Sequence, residues 1–288
     1  MVVTVGFFDG VHLGHRRVLR SLLEYGEEAA VVTFWPHPRV VLQKDAFDLQ
    51  LLNTMEEKTE KLREAGIDDI RCVEFTRGLA SSTAGDFIRD YLIGRMGCTT
   101  LVLGYDNRIG SDGMGTAELA ELASGMGLRV ETVPSVVIND MSVSSTRIRQ
   151  MLRDGDVSGA ASMLGYRYSI AGIVVPGNRI GRTIGFPTAN IKPSFPMKLV
   201  PADGVYATDV TVNGKVYRGM TNIGVRPTVT DSAEKVIETN IFDFDEDIYG
   251  MEIRLDFIAR VRSEKKFASL PELMGQLDND RHRCYGYN

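Results

Sequence analysis

His12 and His15 stand three residues apart in Val5-Gly6-Phe7-Phe8-Asp9-Gly10-Val11-His12-Leu13-Gly14-His15, and three of the chain's four histidines fall within its first 37 residues. Imidazoles at this spacing share one face of a helix and can hydrogen-bond a triphosphate while stabilising the charge that develops as pyrophosphate leaves. The apolar run from Val2 to Val5 predicts a buried parallel strand, and Val18, Leu19, Leu22 and Leu23 repeat with helical spacing. The pair is therefore expected at a strand-to-helix junction, where free backbone N–H groups and the helix dipole already attract anions. Surface histidines at a helix start are the plain alternative, which Gly10, Gly14 and the preceding strand disfavour.

Three further segments of the first half fall where strands should end. Thr33-Phe34-Trp35-Pro36-His37-Pro38-Arg39 sets a histidine between two prolines, and by itself it reads as a rigid structural loop. Leu103-Gly104-Tyr105-Asp106-Asn107-Arg108-Ile109-Gly110 leaves an apolar run with one carboxylate and one guanidinium. In Val143-Ser144-Ser145-Thr146-Arg147-Ile148-Arg149, Ser144 or Ser145 can cap a helix carrying Ile148, Met151 and Leu152. Hydroxyls and Arg147 at a helix start make a second cradle for anions.

The second half concentrates its chemistry in Gly177-Asn178-Arg179-Ile180-Gly181-Arg182-Thr183-Ile184-Gly185-Phe186-Pro187-Thr188-Ala189-Asn190. Glycines let backbone approach a ligand and leave N–H groups for phosphate oxygens. Thr188 and Asn190 offer neutral oxygens suited to a magnesium ion that bridges nucleotide phosphates. As pattern alone, a glycine-rich turn of a barrel explains the segment equally well.

The elements that must hold these residues divide into two kinds. Up to about residue 150, strand-like runs at 2–5, 29–34, 70–75, 100–103 and 129–133 alternate with amphipathic stretches at 82–95 and 116–124, which predicts a parallel sheet covered by helices. After Gly165 strand signals crowd together. Residues 206–212, Asn213-Gly214 and 215–220 predict a hairpin, and Met251, Ile253, Leu255 and Phe257 alternate with charged residues. An antiparallel barrel or sandwich with a closing helix at 270–277 follows. The expected domains are 1–160 and 161–288.

Composition sets bounds on function. The formal net charge of −5 excludes a general nucleic-acid binder, so positive charge for an anionic ligand must come from particular side chains and helix ends. No apolar run approaches the roughly 20 residues of a membrane span, and no signal peptide is evident, so a cytoplasmic protein is expected. Cys72, Cys98 and Cys284 are too few and too scattered for a disulfide framework or a zinc site and read as reduced, structural thiols.

Taken in order, G-x-F-D-G-V-H-x-G-H, T-F-x-P-H-P, G-x-D and S-S-T-x-I-R resemble the adenylyltransferase module of the bacterial bifunctional riboflavin kinase/FAD synthetase family. G-R-x-x-G-F-P-T-A-N resembles the riboflavin kinase signature of that family. Asp203-Gly204-Val205-Tyr206-Ala207, the segment from Gly219 to Thr228, Glu238-Thr239-Asn240, Asp247 to Gly250, and Arg262 to Phe267 then follow in the family's order. The resemblance covers essentially the whole chain. It implies a Rossmann-like nucleotidyltransferase domain followed by a six-stranded antiparallel barrel, with riboflavin phosphorylated by the second half and the resulting FMN adenylylated by the first.

By the same resemblance, His12, His15 and Arg147 would be catalytic in adenylyl transfer, with ATP held by Gly6, Phe8, Asp9, Gly14, His15, Gly104, Asp106, Ser145, Thr146 and Arg147. In the kinase, Glu238 would act as general base. ATP and flavin would be bound by Gly177, Arg182, Gly185, Pro187, Thr188, Asn190, Asp203, Arg226, Arg262 and Phe267, with Thr188 and Asn190 at Mg2+. ATP would be co-substrate. Riboflavin, FMN, FAD and ADP would be the other partners, without nucleic acid or membrane, in a monomer or weak oligomer. Asn107 and Ile109 replace the usual aromatic residues of the Asp106 loop, Phe7 stands where a smaller or polar residue is common, and Asn240 stands where the family commonly has histidine. Two alternatives are carried: a kinase with weak adenylyltransferase activity, and a flavin- or nucleotide-binding protein without turnover.

Overall fold

In the computed structural model, the described residues are 1–42, 49–177, 181, 184–226 and 234–287, with the side chains of 226 and 234 excepted. They form two compact units, Met1–Ser145 and Thr146–Asn288. The expected division at 160 lies inside the helix Val157–Leu164. Among the described residues, no helix is long and apolar enough to cross a membrane.

The first unit is a five-stranded parallel sheet: β1 (Val2–Val5), β2 (Ala29–Trp35), β3 (Asp69–Glu74), β4 (Thr100–Gly104) and β5 (Arg129–Val133), in the order β3-β2-β1-β4-β5. Alternate residues of each strand feed different cores, as the pleat requires. Val3, Val5, Ala30, Val32, Leu101 and Leu103 pack with Phe87, Ile88 and Leu119 on one face. Val2, Val31 and Val102 pack with Leu19, Leu22 and Leu62 on the other. Both faces being covered explains why the central strands β1, β2 and β4 read as apolar runs, whereas the edge strands β3 and β5 are partly exposed and carry charged residues. The order reverses between β1 and β4, so their carboxyl ends border the crevice where such sheets bind ligands.

Within the predicted helix at 82–95 the chain forms a short α-turn, Ala84–Asp86, that runs into a π-helix, Phe87–Ile93. A small hairpin, β6 (Val137–Ile138) and β7 (Met141–Ser142), was not foreseen: its turn is Asn139-Asp140, both at positive φ, without the glycine that marks such turns in sequence.

The second unit is a closed barrel, settling the choice between barrel and sandwich. Its strands are β8 (Ser169–Val175), β9 (Ala189–Pro193), β10 (Gly204–Val212), β11 (Lys215–Arg226), β12 (Glu234–Ile241) and β13 (Glu252–Arg262), arranged β10-β11-β12-β9-β8-β13. The predicted hairpin is present, with Asn213 at φ 49° and Gly214 at φ 77°. Thr208, Thr221 and Thr239 are fully buried and joined hydroxyl to hydroxyl at 2.8 and 2.9 Å across three strands.

The closing helix runs from Leu270 to Tyr285, two turns beyond the expected 277. Its final turns are polar in sequence yet inward-facing. Asp280 is fully buried, accepts from Arg262 Nε at 2.8 Å and from Gln276 Nε2 at 2.8 Å, while Cys284 joins Phe186, Val205, Met220 and Phe242 in the core. Cys98 and Cys284 are buried thiols and Cys72 is exposed. Asp280→Ala should therefore strand the Arg262 guanidinium without its carboxylate and cost about 3 kcal/mol, seen as a lower urea midpoint for the barrel.

Candidate functional site

The loop from Gly6 to His12 leaves the carboxyl end of β1 in a conformation that ordinary residues resist. Phe8, Gly10 and Val11 all take positive φ, at 50°, 87° and 34°. For a β-branched valine this conformation is strained, and such strain persists only where surroundings over-determine it. The Asp9 carboxylate supplies that constraint. It is buried and accepts the amides of Leu52 at 3.0 Å and Asn53 at 3.1 Å, while its backbone carbonyl accepts from Ser145 Oγ at 2.8 Å.

The loop delivers His12 as N-cap of the helix Leu13–Glu24, where its Nδ1 accepts from the His15 amide at 3.3 Å. Gly14 makes this possible: a Cβ there would lie 3.1 Å from the His12 ring. The two imidazoles stack with centroids 3.6 Å apart and planes inclined by 14°, and the Phe8 ring stands edge-on to His15 at 5.1 Å. His15 Nδ1 is sequestered, with no hydrogen-bond partner among the described residues. Burial, reinforced by the neighbouring His12 and the Lys58 ammonium, pushes His15 well below the usual imidazole range. It is therefore a neutral imidazole with one unspent nitrogen beside a helix N-terminus.

Across the crevice, Asn107 ties the ends of the two central strands together. Its Oδ1 accepts from the Gly104 amide at 2.6 Å and its Nδ2 donates to the Val5 carbonyl at 2.6 Å. Sequence reading treated Asn107 only as a departure; its amide, able to donate and accept at once, is what fixes the β1–β4 gap. Asp106 beside it is exposed. On the β2 side the Phe7 ring packs 5.2 Å from His37 and 5.3 Å from Phe34. Thr146 and Arg147 follow Ser145 in the helix Ser145–Asp154 and belong to the second unit.

In the barrel, strand register aligns three of the candidate region's polar residues. Glu238 lies opposite Asn190 on β9 and opposite Asn222 on β11, so a carboxylate sits between two amides on adjacent strands. Asn222 was not foreseen, because one asparagine in a strand carries no pattern of its own. The glycines make room: a Cβ at Gly177 would collide with Asn190 Nδ2 at 2.0 Å, and one at Gly181 with the Phe186 carbonyl at 2.2 Å. Asn240, buried, donates from Nδ2 to the Pro187 carbonyl at 2.6 Å and so braces the turn before Thr188.

Thr188 and Ala189 border a cavity of 450 Å³ with Val174, Thr239, Ile241 and the acidic segment Asp245–Asp247. Thr239 faces this cavity, so Glu238, its neighbour on a pleated strand, points to the other side. Asp203 gives its carbonyl to Arg260 and its carboxylate to Lys235 at 3.4 Å. Arg262 lies on the Asp280 carboxylate with its guanidinium 5.6 Å from the Phe267 ring. Gly185 takes φ 82° in the exposed turn before Phe186. Arg182 and the Arg226 side chain lie outside the described residues.

The sign of the His15 effect on stability follows from its depressed value. As acid is added below pH 6.5 the unfolded chain takes up a proton that the folded chain refuses, so stability falls through that window until the folded-state value is reached. Urea unfolding at pH 7 and pH 5 should show a larger acid loss for the wild type than for His15→Gln.

Comparison with known proteins gives these two constellations a common context. A family model described as FAD synthetase matches residues 1–147, and one described as riboflavin kinase matches residues 164–287. A bifunctional riboflavin kinase/FMN adenylyltransferase from Bacillus subtilis is 38% identical over 99% of this chain and 92% of its own length. One of the same description from Escherichia coli is 37% identical over 97% of this chain and 90% of its own. A solved structure described as a macrolide-efflux protein from Streptococcus pneumoniae superposes with a TM-score of 0.92 at 34% identity, covering 100% of this chain and 94% of that one. With stacked imidazoles at a strand-to-helix junction in one unit and a carboxylate between amides in the other, the chain belongs to the bifunctional riboflavin kinase/FMN adenylyltransferase family.

Proposed function

We propose that this chain makes FAD in two transfers, each in its own unit: riboflavin and ATP give FMN and ADP in the barrel, and FMN and a second ATP give FAD and diphosphate in the parallel-sheet unit. The single observation that carries the reading is that both units have a preorganised polar site of the kind each transfer needs. One is the stacked His12/His15 pair at a helix start, and the other the Asn190–Glu238–Asn222 row.

In the barrel, Glu238 accepts the proton of the ribityl 5′-hydroxyl as its oxygen attacks the γ-phosphorus. Phosphoryl transfer asks mainly for alignment and charge neutralisation, so one correctly placed carboxylate suffices. The glycine turns at 177 and 185 with Pro187 and Thr188 receive the nucleotide, and Arg182, Asp203, Arg226, Arg262 and Phe267 complete the binding region. Thr188 and Asn190 suit Mg2+, because two neutral oxygens match an ion that takes its other ligands from phosphates and water. When bound, Mg2+ supplies charge neutralisation to the phosphates.

In the first unit, an FMN phosphate oxygen attacks the α-phosphorus of ATP and diphosphate leaves. Helix N–H groups, His12 and His15 stabilise the departing charge, with no covalent intermediate on the protein. Gly6, Phe8, Asp9 and Gly14 shape the loop, and Gly104, Asp106 and Ser145 line the remainder of the nucleotide region. The net charge of −5 suits small anionic substrates held by local positive ends, and not nucleic acid or a membrane surface. The protein acts in the cytoplasm, as a monomer or weak oligomer.

Incubation with riboflavin, ATP and magnesium, followed by chromatographic separation of the flavins, tests the scheme. FMN followed by FAD is expected; FMN alone would remove the adenylyl transfer, and no conversion would leave a binding protein. Asn190→Ala or Glu238→Gln should abolish FMN formation, with losses of at least about a hundredfold, while FMN-to-FAD conversion persists. His15→Ala should do the reverse. A single substitution that removed both activities from a folded protein would refute one site per unit.

A further inference from the structure

Lys58 sits on the helix Met55–Glu64, in a stretch whose charged residues suggest a solvated surface, yet only 4% of it is exposed. Its Nζ donates to Thr33 Oγ1 at 3.2 Å and lies 5.7 Å from the centre of the Trp35 ring. Thr33 Oγ1 in turn donates to the Phe7 carbonyl at 3.2 Å, immediately before the strained loop that carries the histidines. Among the described residues no carboxylate forms an ion pair with this ammonium. A buried cation with one hydrogen bond destabilises a fold, and replacing such a charge by an apolar group is often neutral or stabilising. Groups of this kind concentrate at functional sites, where activity is favoured over stability.

The charges around Lys58 belong to that loop. Burial holds the Lys58 ammonium below the usual lysine range, while Asp9 and, from β3, Cys72 act in the opposite direction. His15 is faced by Lys58 and by His12, both opposing its protonation. We propose that Lys58 is a positioning residue for adenylyl transfer: its buried ammonium braces the Phe7–Asp9 turn through Thr33 and so holds His15 stacked on His12 for an arriving triphosphate. A neutral His15 stacks on His12 at 3.6 Å without two like charges in contact, and its Nδ1 has no partner among the described residues. Lys58 would act through the histidines and not by touching ATP. The proposal rests on the assignment of His15 to FAD formation.

Lys58→Met replaces the ammonium by an apolar end of similar length, and Lys58→Arg retains the charge. With four histidines in the chain, imidazole Cε1–H resonances can be followed individually by NMR. In Lys58→Met the His15 titration should move upward, and kcat for FMN adenylylation should fall roughly tenfold as the Thr33–Phe7 brace is lost and the imidazoles are misplaced. Riboflavin phosphorylation should hold, Tm should hold or rise, and Lys58→Arg should restore both the titration and the rate. An unmoved His15 titration, or full FAD synthesis by Lys58→Met, overturns the proposal; so does a loss of activity with lowered Tm that Arg fails to rescue. His15→Gln separates the two readings. If it makes FAD at the wild-type rate, the site assignment fails and the Lys58 role with it; if it loses FAD synthesis while Lys58→Met does not, only the Lys58 role fails.

Discussion

A single buried carboxylate fixes the geometry on which the first unit depends. Asp9 takes two backbone amides from Leu52 and Asn53, and the peptide carbonyl of the same residue is held by Ser145. Released from these bonds, Phe8 and Val11 would relax from positive φ at a gain of about 1 kcal/mol or more each, and the His12 cap would swing away from the helix. Charge-assisted bonds to main-chain N–H groups are strong enough to oppose that tendency. Three separate stretches of sequence thus meet on one residue, and the histidine pair inherits its placement from them.

The barrel solves the same problem differently. No strained loop is needed at Glu238, because antiparallel register itself sets a carboxylate between Asn190 and Asn222. What must be arranged is clearance, and the glycines at 177 and 181 provide it by leaving space that side-chain and main-chain atoms already fill. Asn240 adds a bond to Pro187 that stiffens the approach to Thr188. One unit therefore places its chemistry by strain and clamping, the other by pleat and register.

Much of this was legible in the sequence, for identifiable reasons. The three central parallel strands announced themselves because each is covered on both faces, and Asn213-Gly214 marked its hairpin because type I′ turns demand positive φ twice. The junction carrying His12 and His15 was readable from glycine and histidine spacing alone. Other features were hidden by ambiguity of residue type. Lys58 is indistinguishable in sequence from the charged residues around it on Met55–Glu64, seven of whose ten positions are charged. The last turns of the closing helix escaped notice because their buried positions are Asp280 and Cys284, which interrupt the apolar rhythm. Asn107 and Asn222 gained meaning only from what folding sets opposite them.

The threonine row in the barrel has an orientational side. Each hydroxyl owns a single proton, so Thr221 cannot donate to both neighbours: the row runs from Thr208 toward Thr239, runs the other way, or converges on Thr221 as a double acceptor. Thr239 borders the 450 Å³ cavity. A guest that offers Thr239 an acceptor takes its one proton, so Thr221 must donate to Thr239 and Thr208 to Thr221, and the whole row points toward the guest without moving a heavy atom. A bound acceptor thereby fixes proton direction in the barrel wall as far as Thr208, two strands away.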